Sequence, residues 1–198
     1  MTPLSTCYFR QIEKIHERIR VCTACPLHRS RTRAVPGEGS PEARLMLIGE
    51  APGAREDELG RPFCGRSGYF LNELFAEMGW VRKEVYITSI VKCRPPKNRN
   101  PRDEEMETCG KLWLGEQIKL VNPEIVILLG KIPVRWVLQD NKTLRKLHGQ
   151  VRELEDRIFV PTYHPAAAMR FPEPKKGIYQ DFRLVKQMLL KKAKNSQL

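Results

Sequence analysis

The stretch "RLMLIGEAPG", Arg44–Gly53, decides the fold. Its apolar run does not alternate with polar residues, so it reads as a strand buried on both faces. The run stops at Gly49 and passes into "GEAPGAREDELGRPFCG", Gly49–Gly65, a turn with four carboxylates, two prolines and one aromatic between a proline and a cysteine. Three further stretches read as strands: "EVYITSIVKC", the apolar "EIVILLG", and "RIFVPTYHP". Helical patterns separate them. "GRSGYFLNELFAEMGW" puts Tyr69, Phe70, Leu74, Phe75 and Met78 on one face, with Gly79 as its stop. "RDEEMETCGKLWLGEQIKLVNP" has acids at its start, where the helix dipole favours them, and Asn122-Pro123 at its end. "KIPVRWVLQ" is a short helix and "GIYQDFRLVKQMLLKKAK" a last one, while an amphipathic helix over residues 9–21 comes first. Strands alternating with helices predict an α/β protein with a parallel sheet covered on both sides. Such sheets carry their functional loops at the carboxyl ends of the strands. Four loops qualify: "GEAPG", "SIVKCRPP", "GKIP" and "YHPAAAMR".

The 198 residues suggest one domain over 1–198, and 41% hydrophobic content suffices for a core. Lys and Arg outnumber Asp and Glu by 35 to 23, a net charge of +12 that points first to nucleic acid as partner. No apolar run approaches the roughly 18 residues of a membrane span, and the N-terminus lacks the apolar core of a secretory signal. The expected compartment is the cytoplasm, where structural disulfides are rare. Six cysteines therefore need another explanation.

Cys22 and Cys25 form a C-x2-C; Cys93 closes a strand and Cys109 lies in a helix. Four thiolates converging in a reducing compartment suit either Zn²⁺ or an iron–sulfur cluster. Cys7 and Cys64 have no spaced partner and read as free. A metal at the four would pin the N-terminal loop and "KCRPPKNRNPR" to the body. Arg94, Lys97, Arg99 and Arg102 in the second loop suit phosphate contacts.

Three blocks, "GEAPGARED" with "GRPFCG", "VYITSIVKCRPP" and "HPAAAMR", together with the four cysteines, make the chain resemble the family 4 uracil-DNA glycosylases, the iron–sulfur group of archaea and thermophilic bacteria. The resemblance implies a three-layer α/β/α domain around a four-stranded parallel sheet. It implies a structural [4Fe–4S] cluster on Cys22, Cys25, Cys93 and Cys109. It implies a monomeric, DNA-binding enzyme that hydrolyses the N-glycosidic bond of deoxyuridine, in single- or double-stranded DNA, leaving an abasic site.

A glycosylase must flip its nucleotide into a tight pocket. By family match Phe63 stacks on the uracil, and His164 donates a hydrogen bond to O2, where negative charge develops. Glu50 and Glu56 are the pocket acids beside the sugar or the attacking water; Asp57 and Glu58 are solvated or capping. Ala51 stands where the glycosylases with a "GQDPY" motif carry a water-activating Asp, so that base is lacking, although backbone N–H groups near it can still bind the base. Met169 matches a wedge that replaces the flipped base in the duplex, and Arg170 suits a phosphate.

Besides a smaller change at Cys64, where an aliphatic is more usual, one position departs from the family. Its strand motif reads "VYITN", the Asn amide contacting uracil N3–H and O4; here the residue is Ser89, with one donor and two acceptors on a shorter arm. Two rival readings follow. One is a related glycosylase with a preference shifted to hypoxanthine or xanthine. The other is a non-catalytic, metal-stabilised nucleic-acid-binding module, which would not need Glu50, Phe63 and His164 together in strand-end loops.

Overall fold

The computed structural model describes residues 3–195. Helix α1, Pro3–Arg20, precedes strand β1, Leu45–Gly49. Helices α2, Ala54–Leu59, and α3, Arg66–Met78, lead to β2, Tyr86–Ser89. Helix α4, Asp103–Cys109, continues through a π-turn, Gly110–Leu114, into α5, Gly115–Val121. Strand β3, Ile125–Leu129, is followed by α6, Lys131–Leu138, and α7, Leu144–Leu147. Strands β4, Arg152–Leu154, and β5, Arg157–Thr162, precede α8, Pro165–Ala168, and α9, Pro172–Asn195.

The sheet order is β2-β1-β3-β5-β4. The four expected strands are parallel, with Gly49 opposite Ser89 and Leu47 opposite both Ile87 and Ile127. The expected four-stranded sheet is corrected by a fifth strand, β4, antiparallel to β5. Its cause is local. Glu155 and Asp156 both take positive φ, 48° and 62°, forming a two-residue turn whose twist suits a hairpin. β4 is mostly exposed and carries no apolar run, so its pattern could not announce it.

Side chains alternate across the sheet into two cores. Met46, Ile48, Val126, Leu128 and Phe159 face α1, α5 and the π-turn, packing on Ile12, Ile19, Trp113 and Leu114. Leu45, Leu47, Ile125, Ile127 and Val160 face α3 and α9, packing on Leu71, Leu74, Phe75, Ile178 and Phe182. Burial on both faces is why the strands read as continuous apolar runs, and it makes three layers. Tyr69 departs from the expected α3 face: it is 68% exposed, and Leu71 is buried instead. Among the described residues, no helix is long and apolar enough to cross a membrane.

Strand β2 lies on one side of β1 and β3 on the other, so the chain reverses direction across the sheet at β1. A crevice opens beyond the carboxyl ends of strands at such a reversal.

Candidate active site

That crevice is a cleft of about 710 Å³, and the strand-end loops line it. Glu50, Ala51, Glu56, Phe63, Ser89 and His164 all meet there, with Arg99 and Arg170 at the wall. Residues spread over more than a hundred positions thus share one site because β2, β1 and β5 end at the same edge of one parallel sheet.

Phe63 forms its floor. The ring is 8% exposed and lies 5.8 Å from the His164 ring, centroid to centroid, tilted by 32°. A Cβ on Gly49 would stand 2.9 Å from the Phe63 ring and 3.2 Å from Ser89 Oγ. Glycine at the end of β1 therefore lets the ring and the hydroxyl approach each other. The Phe63 backbone has φ +46°, a conformation that costs a non-glycine residue about 1–3 kcal/mol. Three contacts enforce it. Glu56 Oε1 accepts the amides of Cys64 at 3.0 Å and Gly65 at 2.9 Å. Arg82 Nη2 donates to the Pro62 carbonyl at 2.6 Å. Gly68 lets α3 pass against the Phe63 carbonyl, where a Cβ would stand 1.8 Å away.

His164 sits just beyond β5, against Gly130, whose φ of +103° and 3.3 Å approach to the His164 Cβ exclude a larger residue. Its Nδ1 accepts the Ala166 amide at 3.1 Å. Nδ1 is therefore unprotonated, and the neutral ring carries its proton on Nε2. Burial brings the imidazole pKa down to about 4, partly opposed by the Glu56 charge, so the ring is neutral at pH 7. The result is a fixed neutral donor.

Glu50 is half-buried, and that burial raises its pKa above the usual carboxylate value. Glu56 divides its roles: one oxygen caps the loop before α3, and the carboxylate also stands within electrostatic reach of His164. Of the two roles expected for Asp57, solvated or capping, the first is corrected. It is 3% exposed, and both oxygens accept the Thr32 amide at 3.0 and 3.1 Å. Glu58 pairs with Arg55 at the surface. Among the described residues, the Ser89 hydroxyl has no partner, so it is free to meet a ligand.

Outside the cleft, Arg94 Nε donates to Asn98, and Lys97 is exposed. Arg99 Nη1 and Nη2 donate to buried Glu105, at 2.9 and 2.7 Å, which holds its loop but leaves less of its charge for a ligand. Met169 is 40% exposed, and Phe171, which the sequence reading passed over, is 58% exposed. Lys92 was also missed. It is fully buried, and its Nζ donates to Thr88 Oγ1 at 2.7 Å, the Ser89 carbonyl at 2.6 Å and Gln117 Oε1 at 2.7 Å. A lysine inside "SIVKC" was the available signal, since a buried ammonium must find three acceptors.

Cys22, Cys25, Cys93 and Cys109 line one cavity together with Ile19, Arg31 and Trp113. All are free thiols, and burial pushes that of Cys109 up to about 12. Among the described residues, no three His, Cys, Asp or Glu side chains are grouped to hold a single metal ion. N–H groups point at the sulfurs: Arg31 to Cys93 at 3.0 Å, Trp113 to Cys22 at 3.3 Å, and the Lys92 amide to Cys109 at 3.3 Å. Such donors stabilise the thiolate charge that a bound metal or cluster requires.

Residues 36–183 match the family model of the uracil DNA glycosylase superfamily. The chain is 42% identical over 161 residues to the type-4 uracil-DNA glycosylase of Thermotoga maritima, covering 80% of this chain and 83% of that one. It is 39% identical over 189 residues to that of Sulfurisphaera tokodaii, covering 90% and 85%. To that of Pyrobaculum aerophilum it is 42% identical over 170 residues, covering 81% and 86%.

Proposed function

The chain belongs to the type-4 uracil-DNA glycosylases of the uracil DNA glycosylase superfamily, and from that premise we propose that it excises uracil from DNA by hydrolysing the N-glycosidic bond. The feature that carries the reading is the neutral His164, which holds its proton on Nε2 and lines a cleft together with Phe63. A flipped base stacks on Phe63, and Ser89 offers its hydroxyl to the polar edge. As the C1′–N1 bond breaks, the base takes the electron pair and the sugar becomes oxocarbenium-like. His164 Nε2–H meets the charge growing on O2, an interaction that strengthens toward the transition state. Glu50 stabilises the cationic sugar or orients the attacking water, and Glu56 holds the Phe63 loop while adding negative charge nearby. Water oxygen bonds to C1′, one of its protons passes to bulk solvent, and the departing uracil anion takes up a proton. Arg94, Lys97 and Arg170 supply phosphate contacts, Arg99 a partly neutralised one, and Met169 enters the stack.

Cys22, Cys25, Cys93 and Cys109 would hold a [4Fe–4S] cluster. Bound there, the cluster ties the loop after α1 and the loop after β2 to α4, a structural service apart from the hydrolysis. The shared cavity of the four sulfurs and the N–H donors around them support thiolate ligation there. The enzyme acts as one monomeric domain over 1–198, in the cytoplasm, where thiolate ligands stay reduced.

The test is single-turnover cleavage of matched oligonucleotides carrying uracil, hypoxanthine or xanthine, with abasic sites revealed by alkaline scission. Uracil should be released fastest. Release of hypoxanthine or xanthine alone would establish the shifted-preference rival, and no release would overturn the enzyme reading.

A further inference from the structure

A second cavity, of about 510 Å³, lies beside the cysteine site. Arg20, His28, Arg31 and Arg33 line it with Thr32 and Gly60, and no acidic side chain does. Arg31 is spent on structure, donating to the Cys22 and Arg20 carbonyls and to Cys93 Sγ. Arg20 pairs with Glu13 through one nitrogen. Arg33 is different: it is exposed, and among the described residues its guanidinium has no partner. Its stem is steered all the same, with Cδ against Gly60, 3.6 Å from where a Cβ would stand.

Helix α2 joins this cavity to the cleft. Ala54, Arg55 and Glu56 in its first turn line the cleft, and Leu59 and its cap Gly60 line the basic cavity. Six residues of helix span about 9 Å. The two sites are therefore close enough to be met by one strand.

We propose that this cavity grips a backbone phosphate of the substrate strand near the flipped base, with Arg33 as the main contact and Arg20 beside it. The proposal rests on the reading of the cleft as a DNA glycosylase site. It assigns the loop held by Cys22 and Cys25 a part in DNA binding as well as in stability.

The experiment measures anisotropy of labelled uracil-free oligonucleotides against salt, for wild type, Arg33→Gln and Arg33→Glu. Arg33→Gln should weaken binding several-fold and reduce the slope of log K against log salt by about 0.7 on single strands and 0.9 on duplex. Arg33→Glu should weaken it further. Deoxyuridine, which carries no phosphate, should compete alike for all three proteins. Unchanged affinity and slope in both variants, with circular dichroism showing them folded, would overturn the proposal. So would an equal loss of affinity for deoxyuridine. These readings need no cleavage, so failure of the phosphate site is distinct from failure of wild type to release uracil.

Discussion

Arg82 and Pro62 are joined by a 2.6 Å hydrogen bond from the guanidinium to the backbone carbonyl immediately before Phe63. The same guanidinium donates to Glu38 at 2.5 Å and to Asn72 at 3.0 Å. Glu38 in turn receives Arg61 at 3.0 Å. The left-handed Phe63 is thus fixed from outside the cleft by a charged group that does not line it.

Arg82→Met should release that constraint. The single-turnover rate on uracil should fall about tenfold, because a floor displaced by a fraction of an ångström misaligns the base. Affinity for uracil-free DNA, measured by anisotropy, should hold. A matching loss of affinity would mean that Arg82 supports the whole surface rather than Phe63.

His164→Ala should lower the single-turnover rate on the order of a hundredfold, with little change in the Kd for uracil-containing DNA. A variant that cleaves normally would make the histidine structural. The pH profile carries a second signature. Because the folded pKa is about 4, the required neutral ring persists through pH 5 and its contribution is lost only as pH falls through about 4. A rate that halves near pH 6.5 would mean that the ring titrates as if in water.

Acid should also unfold the protein in a defined window. Burial lowers both His16 and His164 from 6.5 to about 4. Between those values the unfolded chain binds protons that the folded chain refuses, so stability is complete above about pH 6.5 and declines toward pH 4. Each ring contributes up to about 3 kcal/mol to that decline. Urea midpoints measured across this range should fall, and His16→Gln should flatten the curve; a level curve in wild type would contradict both burial effects.

Ser89→Asn tests the departure from the family motif. The hydroxyl stands near Gly49 and Phe63 with no partner among the described residues, so an amide there would face the base. A bidentate base contact is worth about 1–3 kcal/mol, and the substitution should raise uracil release relative to hypoxanthine and xanthine by about tenfold. Slower uracil release with faster release of another base would show that serine is tuned to that base. Unchanged rates on all three would remove Ser89 from the pocket.

Anaerobically purified protein should be brown and contain about four iron per chain. Cys109→Ala should lose iron and thermal stability while any folded fraction keeps its cleavage rate. A colourless protein with one tightly held zinc would refute the cluster.

Much of this arrangement is written in short-range pattern. "RLMLIG" and "EIVILLG" announce buried strands because both faces are covered, and Gly79 and Asn122 mark helix ends that take left-handed backbone as observed. Strand-end loops pointed to the region of the cleft, and the individual residues that meet there were legible through the family resemblance. The supports were not. Glu38 and Arg82 are 44 positions apart, Thr32 and Asp57 are 25, and nothing in a linear pattern pairs them. Strand β4 escaped notice because it is held by a turn and by backbone hydrogen bonds, neither of which needs an apolar signature. Tyr69 misled because helical spacing identifies a stripe without saying which edge of it reaches solvent.

The Thr32 amide rests on the Asp57 carboxylate, so the loop that begins at Cys22 and Cys25 is fastened to the helix that frames the cleft. Oxidative damage at the cysteines would travel along that fastening. Its first symptom would be slack in that helix, whose Glu56 braces the turn beside Phe63, so the floor beneath the base would loosen with it.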